Sequence, residues 1–406
     1  MAKGVIFPVP LAVDVAQEVD TERISGNNVI IYPGSKIYGE KTLVSMGARL
    51  GYEGPATVVD CRIGPGVELK GGFFKSSVFL EKSSVASGAM VREGCLLEEQ
   101  ASAGHTVGLK QTILFPFVTL GSLINFCDCL MAGGTSRTDH SEVGSSYIHF
   151  NFTPHQDKAT PSLIGDVPRG VMLNQPPIFL GGQGGLVGPV RIGYGTVIAA
   201  GTVWRRDVPE GGKLCIEKDG ADDERIFHMG FYGSIDRRVR NNISYIANLL
   251  GLRQWYAHVR QPFFLLQEMG NEMYLGAMET LEVMIGERLK RLQSLSQKME
   301  KSLDLAEKSV HGHREETLLQ QKKEFLKNWS KIEACFTAGD EMEIDQMGRH
   351  AFIEMIHRTI DKGNKEYLQG IRHLGKQESA AGTAWLQNIV DHIVTSAMNH
   401  LPSFSG

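Results

Sequence analysis

The chain has 406 residues, and its 42 Lys and Arg against 46 Asp and Glu leave a formal net charge of −4. At roughly 150 residues per domain this length predicts two or three domains, and the near-balanced charge gives no reason to expect a nucleic acid or an anionic membrane as partner. Glycine and proline are unevenly placed, since 32 of the 46 Gly and 13 of the 15 Pro lie in the first 220 residues. Two different architectures are therefore expected in one chain.

Apolar stretches are short throughout the sequence. The best candidate for a membrane span, residues 171–190, is interrupted by Gly, Pro, Asn and Gln, whereas a spanning helix needs about 20 predominantly apolar residues. Near the start of the chain, Pro8 and Pro10 break the apolar run and no convincing small-residue cleavage site follows. We therefore expect a cytoplasmic protein without a membrane span.

Cysteines are few. The six in the chain form no C-x-x-C pair and are too sparse for a disulfide scaffold, so they are expected to be free and buried. Cys127 and Cys129, separated by one residue, leave open half of a metal site, although nothing in the sequence requires a metal.

A small aliphatic residue recurs every six positions between Asn27 and about Lys213. One uninterrupted run of these positions is Phe79, Val85, Val91, Leu97, Ala103 and Leu109. A period of six fits neither a helix nor an alternating strand, and it is typical of a parallel β-solenoid of short strands with Gly or Asn at the tight corners. The repeat is interrupted at 127–141 and 152–177, and we expect these interruptions to form loops on one face that carry a site.

The pattern becomes helical after a charged segment, residues 217–225, which we expect to act as a hinge. Apolar residues then recur at three-to-four spacing. The stripes are Ile235, Val239, Ile243, Ile246 and Leu250; Leu281, Ile285, Leu289, Leu292, Leu295, Met299, Leu303 and Ala306; Leu318, Phe325, Trp329, Ile332 and Phe336; and Leu386, Ile389, Ile393, Ala397 and Leu401. We assign residues 1–26 to an N-terminal extension, 27–216 to the solenoid and 226–406 to a helical bundle.

Three motifs in the solenoid carry a family resemblance. They are Ala103-Gly-His105, the segment Val143 to Phe152, and the closing run Ile192-Gly-Tyr-Gly-Thr-Val-Ile-Ala-Ala-Gly-Thr202. Together they resemble the acetyltransferase half of the bifunctional UDP-N-acetylglucosamine pyrophosphorylase/glucosamine-1-phosphate acetyltransferase family, whose members fold as left-handed parallel β-helices. The match is strong over roughly residues 100–210 and absent from the helical half. Because the repeat begins by Asn27, there is no room for the uridyltransferase half, and no pyrophosphorylase activity is expected.

The resemblance implies acyl transfer from acetyl-CoA to the amine of an amino sugar phosphate or sugar nucleotide. The amine must be neutral when it attacks, so direct transfer requires a general base of pKa near 7. The Ala-Gly-His motif makes His105 the candidate base, and His149, two residues before Asn151, is an alternative. His140 and His155 also flank the interruptions.

Binding residues follow from the same resemblance. For the acceptor they are Asn151, Phe152, Glu142, Lys75 and Arg92, and for the acyl carrier they are Ser145, Gly182 and Ala200. The sequence departs from the family pattern, with Phe152 in place of Tyr, Glu142 in place of Asn and Gly182 in place of Ser. Lys75 and Arg92 also fit an interpretation as solvated surface charges.

Two interpretations from different classes remain open. The first is an acyl-CoA-dependent transferase, and the second is a non-catalytic relative in which the solenoid binds a sugar nucleotide or serves as a trimerising scaffold while the helical half engages a partner. Similar solenoids assemble as trimers, and an open solenoid end exposes strand edges that need covering, so we expect a homotrimer in either case.

Overall fold

The computed structural model describes residues 3–217, 227–306, 313–341, 346–361 and 363–404. Within them a parallel β-solenoid is followed by a helical half, as predicted from the uneven Gly and Pro content. Apart from Glu217, the hinge expected at 217–225 lies outside the described residues.

Each turn of the solenoid contributes short parallel strands to three faces. The first face is a sheet of 10 strands: Ile30–Ile31, Arg49–Leu50, Glu68–Leu69, Ser84–Val85, Ser102–Ala103, Thr119–Leu120, Glu142–Val143, Phe179–Leu180, Val197–Ile198 and Leu214–Cys215. The other two faces form one sheet, because Gly108–Leu114 and Asn125–Met131 run around the corner from the second face to the third.

The remaining strands of that sheet divide between two faces. The second face holds Asp14–Val15, Lys36–Tyr38, Ala56–Val59, Gly72–Lys75, Ala89–Val91, Ile148–Phe150, Gly185–Val187 and Val203–Trp204. The third face holds Leu43–Val44, Arg62–Ile63, Ser77–Phe79, Cys95–Leu97, Ser162–Ile164 and Arg191–Ile192. A separate antiparallel hairpin pairs Gly134–Ser136 with Asp139–His140.

The register of the ladders explains the six-residue period. On the first face Ala103 pairs with Val85 on one side and Leu120 on the other, so the same inward position recurs from turn to turn. Every member of the run from Phe79 to Leu109 is buried, which confirms the predicted phase of the repeat. Because neighbouring strands lie about 4.8 Å apart, equivalent positions stack into columns along the solenoid axis.

The molecule has more helices than the four apolar stripes predicted. In the described residues they are α1 (Val167–Gly170), α2 (Asp236–Trp255), α3 (Gln261–Phe264), α4 (Gly270–Ala306), α5 (His313–Lys327), α6 (Trp329–Glu341), α7 (Gln346–Asp361), α8 (Tyr367–Arg372) and α9 (Lys376–Met398). A π-helical turn, Tyr256–Arg260, joins α2 to α3, and 3-10 turns occur at Pro10–Ala12, Thr21–Arg23 and Pro402–Phe404. The third stripe predicted from the sequence is divided between α5 and α6 by a break at Asn328.

The three faces differ in what covers them. Strands of the first and second faces alternate between buried and exposed residues, whereas those of the third face are buried on both sides. The middle of the outward column of the third face is aliphatic, with Arg62 before it and Arg191 after it; its aliphatic members are Val78, Leu96, Ile113, Leu130 and Leu163. Helix α4 packs on the strands that begin this column and α2 on the strand Ser162–Ile164. The helical half therefore shares one hydrophobic core with the solenoid.

The interruptions of the repeat do not lie on one face, contrary to expectation. The hairpin at 134–140 and the segment 165–177 with α1 project from the corner between the third and first faces, whereas 151–161 projects from the corner between the second and third. These two corners flank the face that the helices cover. Contacts such as the donation from Arg372 to the Thr135 carbonyl, and from Lys298 Nζ to the Gln156 carbonyl at 2.9 Å, show that the interruptions hold the helical half in place.

Strand pairing also begins earlier than the predicted boundary at residue 27. Asp14–Val15 pairs with Lys36–Tyr38, and Ile6 forms a bridge with Ile30. Residues assigned to the N-terminal extension therefore contribute the first turn of the solenoid. Among the helices that the structure describes, none combines the length and the apolar character that crossing a membrane requires.

Candidate active site along one edge of the solenoid

The edge between the first and second faces collects the turns that follow the first-face strands. Two residues after the inward position of each strand, five consecutive turns place His105, Ser122, Ser145, Gly182 and Ala200 in one column. The His105 N–H donates to Ser122 Oγ at 3.2 Å, and the Ser122 N–H donates to Ser145 Oγ at 3.1 Å. The structure thus aligns the predicted base with all three predicted acyl-carrier residues, and we call this column the His105 edge.

Backbone amides further along the His105 edge are left without acceptors. The pattern of an N–H donating to the hydroxyl one turn further along stops after Ser122, because Gly182 and Ala200 have no hydroxyl. Among the described residues, the N–H groups of Ser145, Gly182 and Ala200 donate to no protein acceptor. All three residues are at least partly exposed. Glycine at 182 follows from a close approach, because a Cβ there would lie 2.7 Å from the Ser145 carbonyl oxygen. Preorganised donors of this kind can stabilise a carbonyl oxygen on which negative charge develops.

The His105 side chain is 61% exposed and contacts a single carboxylate: its Nε2 lies 3.2 Å from Glu53 Oε2. A carboxylate only accepts, so this contact favours the tautomer with its hydrogen on Nε2, in which the Nδ1 lone pair can accept a proton. Glu53 also accepts from the Ser87 N–H at 3.1 Å and lies 3.4 Å from Lys70 Nζ. Burial raises the pKa of Glu53, but these hydrogen bonds outweigh that effect and hold the pKa below its usual value.

Basic side chains form a second column on the adjoining second face. Phe74, Val91 and Leu109 point inward in register, so the residues after them point outward on three successive turns. These outward residues are Lys75, Arg92 and Lys110, which we call the basic ladder. Lys110 was not predicted from the sequence, although it lies three repeats after Arg92, and its Nζ is 2.5 Å from Glu93 Oε1.

Gly108 lies between the His105 edge and the basic ladder, on the outward side of the second face. A Cβ added there would make only an ordinary contact, with Asn125 Oδ1 as its nearest neighbour at 3.7 Å.

Asn151 lies at the far end of the second face and is held by a chain of polar contacts. Its Nδ2 donates to Asp128 Oδ2 at 3.3 Å, and Asp128 Oδ1 lies 2.7 Å from Arg288 Nη2. Arg288 comes from α4 and is fully buried, so the helical half supports a predicted site residue from inside the molecule. The neighbouring Phe152 is exposed, with Lys158 Nζ 5.9 Å from its ring centroid.

The other candidate histidines lie away from the His105 edge. His149 is buried inside the solenoid, with Nδ1 2.6 Å from the Cys127 carbonyl oxygen and Nε2 2.8 Å from Ser162 Oγ. Desolvation lowers its pKa to about 4. His140 lies on the hairpin, and His155 stacks on Phe227 and Tyr232. With both nitrogens engaged and no solvent access, His149 offers no geometric support for a role as base.

Glu142 is likewise separated from the acceptor side. It points outward on the first face, 3.8 Å from His140 Nε2, and so lies on a different face from Asn151. Cys127 and Cys129 are buried free thiols, and no cluster of metal-binding side chains occurs in the part of the chain that the structure describes.

The fold and the His105 edge define a hexapeptide-repeat β-solenoid protein with a helical half packed against one face. Among curated proteins the chain is similar to bifunctional protein GlmU of Thermotoga maritima, with 30% identity over 185 residues, 45% of this chain and 37% of the relative. GlmU of Trichlorobacter lovleyi is 29% identical over 192 residues, and that of Heliobacterium modesticaldum 28% over 199 residues. These matches cover 47% and 49% of this chain and 37% and 38% of the relatives.

The chain therefore spans well under half the length of these relatives. No model of a known protein family matches it. The partial similarity to GlmU confirms the resemblance drawn from the sequence motifs.

Proposed function

We propose that this chain is an acyl-CoA-dependent N-acyltransferase, with acetyl-CoA as cosubstrate and an amino sugar phosphate or a sugar nucleotide as acceptor. The observation that carries the proposal is the His105 edge, where an exposed histidine whose Nε2 lies 3.2 Å from a carboxylate oxygen shares one column with amides that lack acceptors. The similarity to GlmU and the Ala-Gly-His motif support the same chemistry.

Direct transfer needs one base and one oxyanion site. The acceptor amine attacks the thioester carbonyl carbon and gives a proton to His105 Nδ1, while the N–H of Ser145, the free amide nearest His105 along the edge, donates to the developing oxyanion. Collapse of the tetrahedral intermediate breaks the C–S bond, and the leaving thiolate takes the proton back from His105. The products are the N-acylated acceptor and free CoA.

The acceptor binds on the second face. Lys75, Arg92 and Lys110 present positive charge on successive turns, which suits a phosphate, and Asn151 offers a side-chain amide to a sugar hydroxyl. Glu142 has no part in this arrangement because it lies on the first face.

The proposal is tested by the release of CoA thiol from acetyl-CoA against a panel of amino sugars, amino sugar phosphates and UDP-amino sugars. With an active acceptor, His105→Ala is expected to lower kcat by about 10²- to 10⁴-fold, the usual contribution of a general base. His373→Ala, an exposed histidine on the helical half, is the matched control and should retain wild-type turnover. Equal turnover by His105→Ala and the wild type would remove His105 from the mechanism.

A non-catalytic scaffold is the second candidate, and an apolar column on the first face favours it. Phe179, Val197 and Leu214 are in register and exposed at the end of the solenoid, as an assembly surface requires. We propose a homotrimer for either function, and light scattering that gives a monomer mass would contradict it. No turnover on any acceptor, together with a trimer, would favour the scaffold.

A further inference from the structure

A cavity of about 190 Å³ opens at the far end of the second face, next to Asn151. Three separate parts of the chain build it: the strands Ile148–Phe150 and Gly185–Val187, the interruption that follows the first of these strands, and the start of α2. The lining residues used below are Phe150, Phe152, Val187, Ser234, Arg237 and Arg238, and we call this cavity the aromatic pocket.

The aromatic pocket has two exposed aromatic walls. Phe150 is 41% and Phe152 is 57% exposed, although both lie beside a concave surface that could have buried them. Large apolar side chains left open at a cavity mark a binding site rather than a folding core. Phenylalanine rings favour a flat partner in offset stacking, so the walls suit a planar ring.

Positive charge at the pocket is only partly neutralised. Arg238 is held by Asp157, 3.5 Å away, and lies 5.5 Å from the centre of the Tyr232 ring. Arg237 is exposed and donates to the Arg205 carbonyl, but it has no acidic partner among the described residues. Lys158, at 5.9 Å from the Phe152 ring centroid, adds a further exposed cation. The pocket therefore favours an anionic ligand, and the guanidinium fork of Arg237 suits a phosphate.

Size and position indicate that the pocket takes one end of a longer ligand. Its volume is below the roughly 300 Å³ at which pockets for whole small molecules begin. Phe150 follows Lys110 and Cys127 in the same outward column, two turns or roughly 10 Å further along the axis. Lys110 is the member of the basic ladder nearest the pocket, since Arg92 and Lys75 lie one and two turns farther away. A ligand whose amine lies at His105 and whose diphosphate passes Lys110 would thus reach the aromatic pocket with its other end.

We propose that the aromatic pocket binds the nucleoside end of a nucleoside-diphosphate-linked acceptor, with the base stacked on Phe150 and Phe152 and a phosphate bound by Arg237. This inference rests on the proposed acyl transfer and narrows its acceptor from a sugar phosphate or sugar nucleotide to the nucleotide class. Ser234 offers a hydroxyl to the ribose.

Binding of bare nucleotides tests the pocket separately from catalysis. The full chain is titrated calorimetrically, without acyl-CoA, with UDP and ADP and with pyrophosphate and uridine as partial ligands. UDP or ADP should bind more tightly than either partial ligand. Phe152→Ala and Arg237→Gln should each weaken that binding about tenfold or more, since a stacked base and a paired phosphate each contribute on this scale.

The controls match the variants in exposure. Leu265→Ala removes a side chain that is 57% exposed, as Phe152 is, and Arg358→Gln removes an exposed arginine of α7; neither should change binding. Because Phe152 and Arg237 are both exposed, their variants should keep the wild-type Tm, which a melting curve verifies. Failure of UDP and ADP to bind, or binding that both pocket variants leave unchanged, would overturn the proposal.

Failure of the pocket and failure of the proposed function give different results. Turnover of an amino sugar phosphate that depends on His105, without nucleotide binding, would leave acyl transfer standing and remove the pocket. Nucleotide binding that depends on Phe152 and Arg237, without turnover of any acceptor, would keep the pocket and remove acyl transfer.

Discussion

At the scale of single residues, the candidate site depends on which histidine nitrogen is free. The contact from His105 Nε2 to Glu53 favours the tautomer with its hydrogen on Nε2, in which Nδ1 faces away from the carboxylate. Glu53 is itself held by Ser87 and Lys70, so its orientation is set before a substrate arrives. We regard Glu53 as a positioning residue, because it acts on the reaction through His105.

Glu53→Gln should lower kcat of the proposed transfer by no more than about tenfold, because a charge contact at an exposed histidine contributes about 0 to 1 kcal/mol. KM for the acceptor should not change, since Glu53 lies off the second face. Steady-state kinetics gives both values. Glu68→Gln, an exposed glutamate on the first face, is the control, and an equal loss in both variants would contradict a positioning role for Glu53.

The sequence predicted site residues that the structure places in one column where a recognisable motif also occupied a fixed position in the repeat. His105, Ser145, Gly182 and Ala200 could be predicted because one motif period places them at one corner. Glu53 could not, because it lies where a turn is lengthened and folds back so that its N–H donates to the Lys70 carbonyl at 2.8 Å. Burial, with both ring nitrogens engaged, speaks against His149 as the base. The sequence did not show this, because an alternating strand pattern does not reveal whether an inward polar residue finds hydrogen-bond partners.

At the scale of secondary-structure elements, the helical half is part of the site's support. The side chain of Arg288 in α4 enters the corner between the second and third faces and holds Asp128, which in turn holds Asn151. The π-helical turn places Arg260 against Glu99 at 2.6 Å and Tyr256 against Glu98 at the opposite corner. Buried polar contacts therefore fix the helices at both margins of the third face.

Arg288→Met should destabilise the protein by about 3–5 kcal/mol, because it leaves the Asp128 carboxylate buried without its charged partner. The double variant Arg288→Met with Asp128→Asn should recover most of that loss, since no isolated charge then remains. Urea unfolding of each variant measures the free energies. Arg291→Met, which breaks a partly exposed ion pair with Glu287 on the same helix, should cost less than about 1 kcal/mol, because solvent still screens that pair. Equal losses for Arg288→Met and Arg291→Met would contradict the role given to Asp128.

The covered face illustrates what periodicity cannot show. A six-residue period marks inward positions, and it predicted the solenoid and its core. The outward column that includes Val78 and Leu96 was also visible as apolar residues beside inward ones. Sequence alone does not say whether another subunit or the same chain covers such a column, and here α2 and α4 do so.

At the scale of the whole molecule, two buried groups make stability depend on pH in opposite directions. Burial raises the pKa of Glu98 to about 7 from a usual 4.5, with Arg260 opposing the shift and Glu99 adding to it. Burial lowers the pKa of His149 to about 4 from a usual 6.5, and the nearby Asp128 opposes that shift. Glu98 docks the helical half, whereas His149 lies within the solenoid core.

The signs follow from proton counts in the folded and unfolded chains. Between about pH 4.5 and 7 the folded chain keeps a proton on Glu98 that the unfolded chain has lost, so this contribution to stability falls as pH rises. Between about pH 4 and 6.5 the unfolded chain binds a proton on His149 that the folded chain excludes, so this contribution falls as pH decreases. From about 4.5 to 6.5 the two contributions cancel.

Each single variant should therefore reveal the contribution of the other group. In Glu98→Gln only the His149 contribution remains, so the free energy of unfolding should fall with decreasing pH between 6.5 and 4.5. In His149→Asn only the Glu98 contribution remains, so the free energy of unfolding should fall with increasing pH over the same range. Each slope should reach at most about 1.4 kcal/mol per pH unit. Urea midpoints of the wild type and both variants across this range measure the slopes. Glu354→Gln, at an exposed ion pair on α7, should keep the wild-type profile. Slopes of the same sign in Glu98→Gln and His149→Asn would show that these two groups do not set the pH dependence.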